Sequence, residues 1–203
     1  MSIGLFRKTY TLSKRGIDIT GSVSALIIFS PILLLTALWI KLTSKGPVFY
    51  TQTRVGKDGQ YFEIFKFRTM RVDAEKATGP VWASKNDVRL LPAGKFIRKA
   101  HIDEIPQFVN CLKGDMSIIG PRPERPIFVE RFKEEIPDYT KRLNVKPGIT
   151  GLAQVRHRYD ETIDDVRKKI KYDLLYIKKM CLWTDVLILA RTVRVVFTGE
   201  GAK

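Results

Sequence analysis

Two adjacent carboxylates, Asp103 and Glu104, open the stretch HIDEIPQFVNCLKGDMSIIGPRP (101–123), and Arg122 stands between two prolines near its end. Carboxylates act as nucleophiles, bases or metal ligands. An arginine on a stiff backbone makes two-pronged contacts with phosphate. Together these residue types suit phosphoryl chemistry, in which a carboxylate attacks phosphorus while cations, metal ion included, offset charge on the oxygens. Arg98, about one and a half turns before Asp103 on a continuous helix, is a further candidate cation. A glycosidase reading fits poorly: its carboxyls must flank a sugar about 5–9 Å apart, whereas helix neighbours project about 100° from one another. An acidic pair at a helix start also does structural work alone, by complementing the helix dipole. The surroundings must decide.

Stepping outward along the chain, Ile105, Phe108, Val109 and Leu112 repeat at helical spacing until Gly114. Residues 46–70 are β-branched and aromatic around Lys57-Asp58-Gly59, the pattern of a β-hairpin. In its second run Phe62, Ile64 and Phe67 alternate with Glu63, Lys66 and Arg68, so one face is expected to be buried. The other would offer Lys66 and Arg68 to a phosphate, or only to solvent. Residues 73–93 read as a surface loop, and 124–143 as an amphipathic helix ending near Pro137. VKPGITGLAQV (145–155) reads as a Gly/Pro-punctuated loop too irregular for a regular element. Lys146, Arg156 and Arg158 lie near it as candidate nucleotide or sugar contacts. From Ile163 to Phe197 two apolar series predict two helices, with Thr184 as N-cap of the second. Arg167, Lys168, Lys169, Lys171, Lys178 and Lys179 stud the first. Basic amphipathic helices of this kind lie on anionic lipid or pack with solvated basic faces.

Ile17 to Ile40 is almost wholly apolar, with Asp18 its only charge. As a straight helix it would measure about 36 Å, enough to cross a bilayer core. Pro31 removes a helical hydrogen bond and predicts a kink, which Ser30 eases by bonding a freed carbonyl. Lys41 and Lys45 follow the run and Lys14 and Arg15 precede it, so charge gives no orientation. The residues alone leave open a kinked span and a helix that returns to the face it entered.

The 203-residue chain is 44% hydrophobic and 28% charged, ordinary for a folded protein, but its formal charge of +15 is not ordinary. Such an excess implies an anionic partner: nucleic acid, anionic lipid or a phosphorylated substrate. Cys111, Cys181, His101 and His157 are too few and too scattered for a zinc site or disulfide framework. Both cysteines are expected to be buried thiols. A membrane-anchored nucleic-acid binder would need a recognition helix, zinc spacing or aromatic RNA motif, and none is present. A basic membrane scaffold with a structural acidic pair is the other competing reading.

Taken in order, Ser30-Pro31, FEIFKFRTM (62–70), DEIPQFVNCLKGDMSIIGPRP (103–123), VKPGITGLAQV (145–155) and KYDLLYIKKMCLWTDVLILARTV (171–193) change the weighting. With this order and spacing the chain resembles the bacterial sugar transferases, monotopic phosphoglycosyl transferases acting on polyprenyl phosphate. GPRPERP, AQVRHRY and the GEGA end are similar to the exopolysaccharide branch. The resemblance implies that a UDP-sugar reacts at its sugar-linked phosphate with Asp103, releasing UMP and leaving a covalent phosphosugar. Polyprenyl phosphate then takes the phosphosugar, assisted by Glu104, with Mg²⁺ near Asp103 and phosphate contacts from Arg122, Arg98, Lys66 and Arg68. It implies an α+β, mostly helical fold: a re-entrant membrane segment (1–45) broken at Ser30-Pro31, then a catalytic domain (46–203) with a small hairpin and interfacial helices. The body would lie at the cytoplasmic face of the bacterial inner membrane, against anionic lipids, with no nucleic-acid partner. A homodimer stays open, and so does the sugar. His101, Cys111 and the VRHRY stretch depart from the family pattern, which is read as a difference in sugar selection or packing.

Overall fold

In the computed structural model, which describes residues 3–76, 79, 87–156 and 162–198, the basic N-terminus and half of the apolar run form a single helix, α1 (Ile3–Ile28). The chain then bends by 60° into α2 (Ser30–Thr43). The cause of the bend is local. Pro31 has no N–H to give the Ile27 carbonyl, and the Ser30 hydroxyl donates to that carbonyl instead, at 2.8 Å. No single helix among the described residues is long and apolar enough to cross a membrane, but the bent pair passes that test together. Ile27, Leu34, Leu35 and Leu42 are all two-thirds or more exposed around the bend.

The hairpin forms as expected. Strand β1 (Phe49–Val55) pairs antiparallel with β2 (Tyr61–Phe67), with Gln52 opposite Ile64, around a turn at Lys57–Gly59. Its faces differ from the expectation. The two-residue period puts Lys66 on the same side as Phe62 and Ile64, not opposite them. Arg68 lies beyond the strand and is 4% exposed, so it offers no solvated cation.

The segment around the acidic pair, which reads as one or two helices, forms two short helices with a 3-10 turn between them. Helix α3 (Gly94–Lys99) stops at Ala100, and His101 takes a left-handed conformation (φ 55°). A 3-10 turn over Ile102–Gln107 follows, then α4 (Phe108–Lys113), closed by Gly114 at φ 94°. Glycine reaches that left-handed cap without strain. Arg98 and Asp103 are therefore not on one continuous helix.

A second small sheet corrects the reading of 145–155 as an irregular loop. Strand β3 (Ser117–Ile119) runs parallel to β4 (Gly148–Thr150), with Ser117 opposite Gly148 and Ile119 opposite Thr150. Parallel strands need a long crossover, here made by α5 (Pro126–Glu135) and a 3-10 turn at Tyr139–Asn144. The strands approach so closely that a Cβ on Gly148 would collide with the Gly120 backbone nitrogen. Helix α6 (Leu152–Arg156) follows β4. The glycines that resembled loop punctuation are there for this contact.

The C-terminal series form α7 (Ile163–Lys178) and α8 (Leu182–Thr198). Thr162 and Asp165 make a reciprocal capping box at the start of α7. Thr184 is not an N-cap: it lies inside α8 and its hydroxyl donates to the Lys179 carbonyl at 2.9 Å. The main core packs Val129, Phe132, Tyr139, Val166 and Ile170 together. A second cluster of Ile64, Cys111 and Met116 lies between β2 and α4. Cys111 is buried, whereas Cys181 is only half-buried.

Candidate active site

The 3-10 turn sends its two carboxylates into different surroundings. Asp103 is 7% exposed, and among the described residues its carboxylate has no hydrogen-bond or ion-pair partner. Glu104 is saturated: Lys66 Nζ reaches its Oε1 at 2.9 Å, Arg122 Nη1 its Oε2 at 3.2 Å, and Arg122 Nη2 bonds Oε1 as well. Burial pushes the Asp103 carboxyl above the usual range, with Glu104 adding to the rise, while Lys66, Arg98 and Arg122 oppose it. Burial also resists ionisation of Glu104, but Arg122 and Lys66 outweigh it and hold that carboxyl well below the usual range. Glu104 in turn raises the Arg122 guanidinium. A carboxylate so strongly paired is a poor proton acceptor. Its geometry suits orienting Arg122 and Lys66, and it leaves Asp103 as the free group.

The two cations on Glu104 are each held by a separate device. Asn110, fully buried in α4, accepts from the Phe65 N–H at 3.0 Å and donates to the Glu63 carbonyl at 2.7 Å. Those bonds fix β2, and with it Lys66, against the helix that follows the acidic pair. Around Arg122 four successive carbonyls have donors. Pro121 accepts from Gly148 N–H at 2.9 Å, Arg122 from Arg142 Nη2 at 2.7 Å, Pro123 from Arg54 Nη1 at 3.0 Å, and Glu124 from Val55 N–H at 3.0 Å. Arg142 is itself paired with Asp173 at 2.8 Å, both side chains 2% exposed. Glu124 meets Lys169 at 2.6 Å. A narrow crevice beside Arg122 is lined by Val55, Gly56, Pro121, Leu143, Val145 and Pro147.

The structure thus gathers Asp103, Glu104, Arg122, Lys66 and Arg98 and leaves others elsewhere. Arg68 donates to the carbonyls of Lys45 and Ser44 at 2.8 and 3.3 Å, tying down the chain after α2 instead of facing a phosphate. Lys146 points toward Gly114 and Arg15, and burial followed by Arg15 lowers its pKa. Arg156 is exposed at the end of α6. Arg158 and His157 lie outside the described residues. His101 shapes the chain just before the acidic pair, and its buried Nε2 has no partner. Lys169, expected on a solvated or lipid-facing side of its helix, is buried against Glu124.

Arg54, Asn110, Glu124, Arg142 and Asp173 carry no obvious motif and escape a sequence reading. One signal does exist for α7. Lys169 and Asp173 fall on the apolar stripe of Val166, Ile170 and Ile177, where a charge needs a buried partner.

A free buried carboxylate facing three cations, on a body joined to a bent apolar helix pair, has the charge layout of a site for phosphate esters. The chain belongs to the bacterial sugar transferase family, whose model matches residues 9–199. It is 52% identical over 96% of its length to the UDP-N-acetylgalactosamine-undecaprenyl-phosphate N-acetylgalactosaminephosphotransferase of Aeromonas hydrophila, covering 46% of that protein. It is 44% identical over 93% of its length to the UDP-glucose:undecaprenyl-phosphate glucose-1-phosphate transferase of Klebsiella pneumoniae, covering 41% of it. A protein of the same name from Caulobacter vibrioides is 40% identical over 97% of the chain and is covered over 74% of its length. The chain therefore spans less than half the length of the first two relatives.

Proposed function

We propose that this chain transfers a sugar-1-phosphate from a UDP-sugar to polyprenyl phosphate at the cytoplasmic face of the bacterial inner membrane. The carrying observation is the unpaired, buried Asp103 beside a fully paired Glu104. An Asp103 oxygen attacks the sugar-linked phosphorus of the donor. The bond from that phosphorus to the bridging oxygen breaks, and UMP leaves with the electron pair. A phosphate oxygen of the polyprenyl phosphate then attacks the same phosphorus, the acyl–phosphate bond breaks, and Asp103 is regenerated. Arg122, Lys66 and Arg98 offset charge on the phosphoryl oxygens, and Glu104 keeps the first two in place.

A divalent cation fits this arrangement in a limited way. Among the described residues no group of three or more His, Cys, Asp or Glu side chains could cage a metal. Mg²⁺, however, commonly binds through one carboxylate plus substrate phosphates, and the free oxygens of Asp103 can serve as that carboxylate. When bound, it would supply further charge neutralisation on the diphosphate.

The bent pair α1–α2 and the exposed aliphatic faces favour a re-entrant seat in the bilayer, with the basic surface against anionic lipid. That seat brings a soluble nucleotide sugar to a lipid phosphate. The relatives' names favour UDP-N-acetylgalactosamine as the first donor to test, with UDP-glucose next. The product would begin a glycoconjugate such as an exopolysaccharide.

The test is purified protein in detergent with Mg²⁺, polyprenyl phosphate and a UDP-sugar panel. UMP should be released. Without the acceptor, radiolabelled sugar should remain on the protein and come off with hydroxylamine, which cleaves acyl phosphates. Turnover that survives in Asp103→Asn would refute the nucleophile, and full turnover in EDTA would refute the metal.

A further inference from the structure

Asp18, the lone charge of the apolar segment, is 4% exposed in α1. Its Oδ1 accepts from the Ser117 hydroxyl at 2.9 Å and from the Ile118 N–H at 2.9 Å. Ser117 opens β3, the strand that leads directly into the Arg122 loop. One turn earlier on the same helix, Arg15 donates to the carbonyls of Cys111 and Leu112 at 2.5 and 2.8 Å. Those carbonyls lie in the last turn of α4, the helix that continues directly from the turn carrying Asp103 and Glu104. They belong to the helix end, where carbonyls lack full helical partners (Cys111 also accepts from the Gly114 N–H at 3.1 Å), and a guanidinium fork suits two of them at once. One turn after Asp18, a Cβ on Gly21 would sit 2.8 Å from Ile118 Cδ1, so the helix is seated tightly on β3.

From this geometry we propose that Arg15 and Asp18 are positioning residues: α1 grips the arm bearing the carboxylates with one and the arm bearing Arg122 with the other. The spacing between Asp103 and Arg122 then depends on the seat of a helix that continues, without a break, to the bend at Ser30. The mechanistic arm of this inference rests on the phosphotransfer reading above, but its geometric arm does not.

Two measurements separate them. In the UMP-release assay, Asp18→Ala should lower kcat about tenfold, as expected when a catalytic cation is slightly misplaced. Asp18→Asn, which keeps the acceptor oxygen, should restore most of the rate. Combined with Arg122→Lys, Asp18→Ala should have much less effect than it has alone, because both changes act through one guanidinium. The second readout needs no turnover. With Cys181→Ser in the background, the thiol introduced by Asp103→Cys reports the surrounding cations through the pH dependence of its alkylation by iodoacetamide. Ser117→Ala and Arg15→Lys are milder variants, each removing a single bond or fork, for use if Asp18→Ala does not fold. These variants should shift that alkylation profile, and Asp18→Asn should not. Unshifted profiles in all of them overturn the proposal, whether or not the unmodified chain releases UMP. Additive effects of Asp18→Ala and Arg122→Lys on kcat would also overturn it. A chain that releases no UMP but shows the shifted profiles would refute the proposed reaction and keep the positioning role.

Discussion

Asp103 and Glu104 are neighbours in sequence, yet the fold drives their carboxyls in opposite directions, one raised by burial and the other held down by Arg122 and Lys66. The difference is one of partners, since Glu104 takes both and Asp103 has none. An adjacent pair is thereby split into an unpaired carboxylate and one that holds two cations.

Asp103→Asn should therefore abolish UMP release, by about a thousandfold or more, while leaving the folded state as stable as before or more so. Removing a buried carboxylate whose ionisation the fold resists relieves a cost. Rates in the unmodified protein should fall as pH drops toward the raised Asp103 ionisation, above the value of about 3.9 for an exposed aspartate. A melting temperature lowered by several degrees in Asp103→Asn would contradict the raised carboxyl.

Glu104→Gln should behave in the opposite way. It leaves Lys66 and Arg122 facing each other without their shared anion, and stability should drop by about 1–2 kcal/mol. The figure is kept small because the Arg122 side chain is 36% exposed and solvent screens the pair. Urea unfolding at neutral pH measures it. Activity should fall with stability, and Gln at this position should not abolish turnover as Asp103→Asn does.

The Arg142–Asp173 pair is dry, and breaking it on one side strands a charge. Asp173→Ala should cost about 3–5 kcal/mol, and replacing both partners with apolar residues of similar volume should recover much of that. The double variant would still lack the donor to the Arg122 carbonyl, so kcat should stay reduced after stability returns. Recovery of both together would make the pair purely structural.

Glu124 gives an acid limb with a defined sign. Burial would raise its carboxyl, but Lys169, Arg142 and Arg54 override that and hold it at about 2. An unfolded glutamate ionises near about 4.3. The stabilisation is complete above that value and is lost as pH falls from there to about 2, up to about 3 kcal/mol in all. Denaturant midpoints between pH 5 and pH 2 should follow this limb, and Glu124→Gln should flatten it.

The bend gives a topological prediction. With Cys181 replaced, single cysteines at Ser13 and Lys45 should react with an impermeant reagent from the same side of sealed vesicles. Pro31→Ala returns the N–H that Ile27 lacks and should favour a straight helix, shifting the two labels toward opposite sides. Opposite-side labelling of the unaltered segment would mean a span.

Short-range signals made much of this fold legible. The Lys57-Asp58-Gly59 turn, the Ser30-Pro31 kink and the α7 and α8 series each follow from residues a few positions apart, and all three formed. The β3–β4 pair was not legible, because two three-residue strands separated by a helix leave no periodic trace and their glycines imitate a loop. That the segment divides at His101 was equally hidden, since a left-handed histidine has no local spelling. For the site, the acidic pair and Arg122 were visible as chemistry. What holds them was not: Asn110, Arg142 and Asp18 act across long stretches of sequence, and only the fold shows whom they meet. Arg68 failed for the converse reason, being a cation in the right neighbourhood of sequence whose nearest unsatisfied groups were backbone carbonyls.

The four donors to the carbonyls around Arg122 also set an order of events during synthesis. Arg54 and Val55 are made before the loop, but Arg142 and Gly148 come after it, and Arg142 is not neutralised until Asp173 emerges. Two of the four donors thus follow the loop in the chain, and the loop is fully held only once they are made. The carboxylates therefore precede their setting: Asp103 and Glu104 are already made while the Arg122 loop still awaits Arg142, Gly148 and, through Arg142, Asp173 of α7.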